Sequence, residues 1–422
     1  MKNRLLSLDV LRGLTMILMT VVNNPGDWGH VYAPLLHAEW HGCTPTDLVF
    51  PTFLFIVGIT TVLATPVKTL NKVALQKLIT RGLRIFCLGL FLSFFSKIHF
   101  LDWEGIPLLS FRLVITLVVA YALFGNYNKT TQLYVAVAVF LIMMVLAFGG
   151  FKDFETVRIP GVLQRIAIVY LIITLIYLST GLTVQLGIAT VLLIVYWLLM
   201  TYIPVPGFGE ANLEKGTNLA AWLDNRLLGG HLWVTSKTWD PEGILSTLPA
   251  IATGILGLWT GSILVSNRTI GQKFTFLFVM AVSGIAAGWL WGLSFPVNKA
   301  LWTSSYVLYA AGWALLCFTL FYYIIDIRGW KRFTQPFVAF GVNPMIVFFL
   351  SGIIPRVWNV IKIQVTGTAG EMVGMKEYWY KYILSPRFSN PMNASLADAL
   401  IYLLFWYVIV SILYRNRIII KV

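Results

Sequence analysis

Three of the chain's five histidines, His30, His37 and His41, fall within twelve residues, with Asn23, Asn24, Asp27, Glu39 and Asp47 around them. They occupy VNNPGDWGHVYAPLLHAEWHGCTPTDLVFPTFLFIVG, Val22 to Gly58, in a chain that otherwise avoids polar side chains. Histidine alone has an ordinary pKa that lets it take and return a proton near neutrality. A carboxylate close by, Glu39 or Asp47, would orient the ring of His37. The plainer reading of a lone histidine at a membrane edge is a hydrogen-bonded interfacial residue. A metal site is the third reading, but spacings of seven and four residues follow no closed zinc motif.

The residues that would position this cluster are overwhelmingly apolar. Of 422 residues 58% are hydrophobic and 11% charged, and the mean hydropathy is +0.79. An ordinary water-facing fold is excluded. A span needs about 20 apolar residues, and in lipid every backbone amide must be bonded internally, so the expected class is all-α: a polytopic transmembrane helical bundle. Apolar runs at about 5–24, 47–66, 82–100, 109–126, 132–149, 161–179, 183–203, 245–265, 274–295, 303–326, 336–354 and 396–414 give about twelve spans in one domain, 1–422. The run after MKNR is read as a retained first span, because Asp9 and Arg12 interrupt it and no small-residue cleavage site follows.

The net charge of +14 comes from lysines and arginines placed singly or in small groups between spans, which speaks against nucleic acid. The groups MKNR, Lys68 to Arg84, Arg268 and Lys273, Arg328 to Arg332, and Arg415 to Lys421 alternate so as to lie on one side. By the positive-inside rule that side, with both termini, is cytoplasmic. All five histidines and nearly all acids then face outward, where segments at about 204–244 and 355–395 fold over the bundle as a cap. Cys43, Cys87 and Cys317 are too scattered for a disulfide framework.

Other candidates each carry two readings. Asp9 and Arg12 suit an ion pair at i, i+3, yet Arg12 and Asn23, eleven residues apart, share one helical face about 16 Å apart. A long donor, phosphates at one end and reactive group at the other, would fit that stripe. Arg165, beside Gln164, should face the bundle interior, since an unpaired arginine at a span centre costs about 2.5–3.5 kcal/mol. Asp240 and Glu242 in DPEG are either helix-capping acids or ligand groups. Lys299 and Trp302 in PVNKALW suit interfacial anchors, whereas Asn298 has no such duty. Asn343 in GVNPM is a kink-satisfying amide or a ligand group.

Taken together, SLDVLRG, LMTVVN, HAEWHG followed by DLVFPTFLFIVG, RIPGVLQR, DPEGIL and PVNKALW resemble the successive signatures of the heparan-α-glucosaminide N-acetyltransferase family of transmembrane acyltransferases. The resemblance implies an acetyl group passing from cytoplasmic acetyl-CoA to an amino sugar or related glycan across the membrane. It implies His37 as the essential histidine, with Asp47, and Asn23 as the active-site asparagine. On the same basis Arg12, Gln164 and Arg165 serve the donor, and Glu39, Trp40, Asp240, Glu242, Asn298, Lys299, Trp302 and Asn343 the acceptor. Residues 102–150 read as an inserted helix pair, and Asn24 to Asp27 replace the family's glycines after the asparagine. The free-standing form points to a bacterial inner membrane with a periplasmic acceptor; a homodimer is left open, and a sugar or small-solute transporter is the alternative class.

Overall fold

The computed structural model describes residues 5–65, 68–365 and 371–420, so Lys2, Arg4 and Lys421 of the basic groups lie outside the described residues. The chain is almost wholly helical. In order come α1 (Leu6–Val22), α2 (Val49–Ala64), α3 (Lys72–Phe94), α4 (Gly105–Phe124), α5 (Lys129–Phe148), α6 (Val162–Ser179), α7 (Leu182–Tyr202) and α8 (Leu219–Leu228). Then follow α9 (Thr247–Val265), α10 (Ile270–Gly292), α11 (Ser304–Phe321), α12 (Gln335–Val342), α13 (Pro344–Val360), α14 (Met375–Tyr378) and α15 (Pro391–Arg415). A short antiparallel hairpin, β1 (Lys362–Gln364) and β2 (Met372–Gly374), separates α13 from α14.

Among the described residues ten helices are long and apolar enough to cross a membrane, the build of an integral membrane protein. The run expected at 336–354 is not one straight span. It is α12 and α13, bent by 80° at Asn343, and counting the pair as one span gives eleven. The following Pro344 disfavours helical geometry at Asn343, which caps both helices at φ −121°. α1, at 17 residues, is one residue shorter than the shortest of the ten, α6 at 18.

Burial separates an inner set from an outer one. Of the most apolar window of α9, 72% is buried, against 17% in α5 and α10, whose apolar residues point outward as lipid-facing helices require. The inner helices meet where glycine removes the side chain. A Cβ on Gly257 of α9 would stand 2.1 Å from the Phe55 carbonyl oxygen of α2, and one on Gly58 of α2 would stand 2.1 Å from the Gly254 oxygen. Gly13 of α1 and Gly341 of α12 approach the opposite backbone as closely, at 1.8 and 2.2 Å. In lipid, where apolar burial drives little association, such close backbone packing holds helices together. α1 has no side-chain cap of its own, and the Asp326 carboxylate beyond α11 accepts from Leu6 N and Ser7 N at its N-terminus.

Candidate active site

The segment between α1 and α2 folds on its own hydrogen bonds. Thr44 and Asp47 form a reciprocal capping box that starts the helical turn before Val49. Thr44 Oγ1 donates to Leu36 O at 2.6 Å and Thr46 Oγ1 to Pro34 O at 3.0 Å, which closes the loop across HAEWHG. Asp47 is the hub. Its Oδ2 accepts from Thr44 N at 2.9 Å, Thr44 Oγ1 at 3.1 Å and Ala38 N at 3.1 Å, and its Oδ1 lies 2.6 Å from His37 Nδ1. An ionised carboxylate only accepts, so Nδ1 donates in that bond, and in the neutral ring the lone pair is on Nε2.

Asp27 and His30 make a second pair at 2.6 Å, and exposure distinguishes the two. Side chains of His30 and Asp27 are 49% and 40% exposed, whereas His37 is 52% exposed and Asp47 only 1%. The His37–Asp47 pair leaves the ring half-exposed while its acid is buried and locked. The hydrogen bond from His30 holds Asp27 below the usual carboxylate range. Burial, with the Asp47 charge beside it, pushes the Cys43 thiol up to about 12, so that thiol stays protonated at neutral pH.

A second wall comes from loops far along the chain. In the segment before α6, Arg158 donates to both oxygens of Asp240, at 2.8 and 2.6 Å, and to Glu242. Burial pushes the Glu242 carboxyl up, but Arg158, Lys299 and Arg165 outweigh it and hold it below its usual range. Asp224 of α8 accepts from Ile244 N at 2.8 Å and Asp240 N at 3.3 Å, which folds the DPEG turn; burial pushes its own pKa up to about 6. A Cβ on Gly243 would collide with the Asp224 carboxylate at 1.9 Å, so only glycine fits there.

The Gly243 carbonyl accepts from Arg165 Nη2 at 2.9 Å, and Ser246 Oγ takes a second bond from the same nitrogen. Arg165 is 1% exposed, and its Nε and Nη1 have no hydrogen-bond partner among the described residues. Its guanidinium lies 5.1 Å from the Trp302 ring centroid. Trp302, fully buried, adopts φ +54°, a left-handed conformation costing on the order of 1–3 kcal/mol for a bulky residue. Its Nε1 donates to Thr253 Oγ1 at 3.1 Å, and its ring meets Phe50 and Tyr306 edge-on at 5.1 and 5.4 Å.

The two walls are joined directly. Tyr306 OH donates to the Asp47 carbonyl at 2.6 Å, Gly42 N to Val297 O at 2.7 Å, and Asn298 Nδ2 to His41 Nδ1 at 3.4 Å. Asn298 is fully buried, its Oδ1 accepting from Leu301 N. Trp40 sits at the rim, its Nε1 donating to Leu213 O at 2.8 Å and its ring edge-on to Trp239 at 5.3 Å. Glu39 is exposed beside it, and Gln164 is buried with its amide against Gly89 and Gly161. Asn23 caps α1 at the head of the loop with its side chain exposed.

Two expected members lie elsewhere. Arg12 donates to Asp9 at 3.3 Å and to Gly341 O at 3.2 Å, toward the far end of α1. Asn343 is fully buried near that end, donating to Ile418 O at 2.9 Å and accepting from Ile420 N at 2.8 Å. The sequence reading missed Arg158, Asp224, Thr253 and Tyr306. For Arg158 a signal existed, since it opens RIPGVLQR as a cation in search of DPEG's two acids.

No protein-family profile matches the chain. Among curated proteins, heparan-alpha-glucosaminide N-acetyltransferase of Homo sapiens is 27% identical over 395 residues, 82% of this chain and 52% of that protein. The protein of the same name from Mus musculus is 26% identical over 418 residues, covering 86% and 56%. The chain is a distant relative of these N-acetyltransferases. It spans about half the length of the curated relatives it matches. The resemblance drawn from the motifs and the likeness measured over 82–86% of the chain thus name the same acetyltransferases.

Proposed function

We propose that the chain is a membrane acetyltransferase carrying an acetyl group from acetyl-CoA, held at the Arg12 end of α1, to an amino sugar or related glycan at the His37 end. The observation that carries this reading is the His37–Asp47 pair, a buried acid accepting from Thr44 N, Ala38 N and the His37 ring and aiming that half-exposed ring. His37 Nε2 takes a proton from the acceptor amine or hydroxyl as that atom attacks the thioester carbonyl carbon. The new bond to carbon forms, the carbon–sulfur bond breaks, and the proton passes to the departing thiolate. Such a base is worth about 10²–10⁴ in rate.

Asn23 donates to the oxyanion, a contribution of about 2.7–4 kcal/mol. Arg165, with two buried guanidinium nitrogens unpartnered among the described residues, meets a carbonyl of the donor beside Gln164. Asp240, Glu242, Asn298 and Trp302 are buried and engaged, so they frame the site, while Glu39, Trp40 and Lys299 meet the acceptor.

The basic loops and termini lie on the donor side, in a bacterial inner membrane with the acceptor in the periplasm. In sealed proteoliposomes of known orientation, acetyl-CoA supplied only on the basic-loop side should acetylate an impermeant amino sugar present only on the His37 side. Product that forms only when both substrates share a side would refute the crossing. A sugar that crosses unmodified without donor would favour a carrier, which the 80° break between α12 and α13 also suits.

A further inference from the structure

A cavity of about 1000 Å³ lies between α3, the α4–α5 turn and the C-terminal tail, outside the site described above. Lys77, Arg81, Arg84, Lys129 and Arg417 line it, and among its described lining residues there is no carboxylate. Five cations facing one space repel one another, and an anion relieves that repulsion. Arg84 makes this a built site and not a solvated basic face. It is 5% exposed, its Nη2 is fixed by the Gly125 carbonyl at 2.9 Å, and its Nε is buried without a hydrogen-bond partner among the described residues.

The walls are held in place from several directions. Arg417 takes a left-handed turn at φ +56° just after α15, and the tail beyond it is clamped by Asn343 through Ile418 and Ile420. The α4–α5 turn is braced by Gln132 Nε2, which donates to Tyr127 O at 2.8 Å, and by Asn128, which caps α5. Tyr121, Phe124 and Tyr127 add aromatic walls beside the cations. Multiple cations with an oriented guanidinium are the donor set for phosphoryl oxygens.

The geometry points to a binding site for a ligand carrying more than one phosphoryl group, held by Arg84, Arg81, Lys77, Lys129 and Arg417. The ligand is the bisphosphorylated end of a nucleotide or the headgroup of an acidic lipid; the chemistry at the cavity is the same. The inference does not rest on acetyl transfer, and either can fail without the other.

The test uses the full chain purified in detergent and stripped of lipid. Equilibrium dialysis with labelled adenosine 3′,5′-bisphosphate reads the soluble source, and native mass spectrometry with cardiolipin, whose headgroup carries two phosphates, and phosphatidylcholine reads the lipid one. Arg84→Gln and the double variant Arg81→Gln with Lys129→Gln should each weaken at least one anionic probe about 10-fold or more. Arg332→Gln, exposed and outside the cavity, should weaken neither. Should Arg84→Gln fail to fold, the double variant decides, because Arg81 and Lys129 are exposed. Loss of the bisphosphate alone assigns a nucleotide, and loss of cardiolipin alone assigns a lipid. Unchanged affinity for both probes in the double variant, or equal loss in Arg332→Gln, overturns the proposal.

Discussion

At the scale of single residues, His37 and Arg12 should fail in opposite ways. His37→Ala removes a proton acceptor needed only as the acceptor attacks, so kcat should fall about 10²–10⁴ with donor affinity kept. Near-normal turnover in detergent-purified His37→Ala would dismiss the base. If Arg12 holds the donor's phosphate as proposed, it does so alike in ground and transition states, so Arg12→Ala should raise the donor KM several-fold and leave kcat within about a factor of two. The His37–Asp47 pair was legible because its partners are ten residues apart in one polar loop. Arg158 was not, since its acids stand 82 and 84 positions further on and only folding brings them to it.

At the scale of elements, glycine spacing decides which helices touch. Gly257→Leu, whose Cβ would stand 2.1 Å from the Phe55 oxygen, should cost about 1–3 kcal/mol or more and lower the melting temperature in detergent. Gly271→Leu, with nothing within 4 Å, should leave it unchanged. The DPEG turn should respond to pH through Asp224. Its folded pKa of about 6 lies above the ordinary carboxylate value, so its contribution is fully present below about pH 4 and fades as pH rises through about 6. The difference is worth about 3 kcal/mol at most. The melting temperature of wild type minus that of Asp224→Asn should therefore shrink from pH 4 to pH 7; a constant gap would mean Asp224 does not titrate there. Each apolar run in the sequence corresponds to a helix, because length and hydropathy are local properties. The break at Asn343 was legible only as a proline kink, since its 80° bend depends on Gly341 meeting Asp9 and on the tail returning to Asn343.

At the scale of the molecule, motifs separated by more than 250 residues close on one another while Arg12 and the basic cavity stay apart from them. On the proposed reading the two ends face opposite sides of the membrane. With Cys43, Cys87 and Cys317 replaced, a cysteine at exposed Glu39 should react with an impermeant maleimide only from outside right-side-out vesicles, and one at exposed Lys331 only from inside. Labelling of both from one side would remove any need for the acetyl group to cross. The charge pattern is what predicts this layout, because insertion itself responds to lysine and arginine, and the labelling tests it. The joining of the walls was not readable, since Tyr306 to Asp47 and Gly42 to Val297 are bonds between surfaces with no sequence signature.

Those joints also set a schedule for synthesis. His37 leaves the ribosome early, while Tyr306, which braces Asp47 from behind, is made about 270 residues later, a wait on the order of tens of seconds at roughly 5–20 residues per second. Through that wait the loop has only what it carries. The bonds from Thr44, Thr46, Ala38 and His37 all run between residues 34 and 47, so nothing made later is needed to aim the ring. The nascent chain can thus display its reactive histidine in finished form well before the wall that confines it arrives.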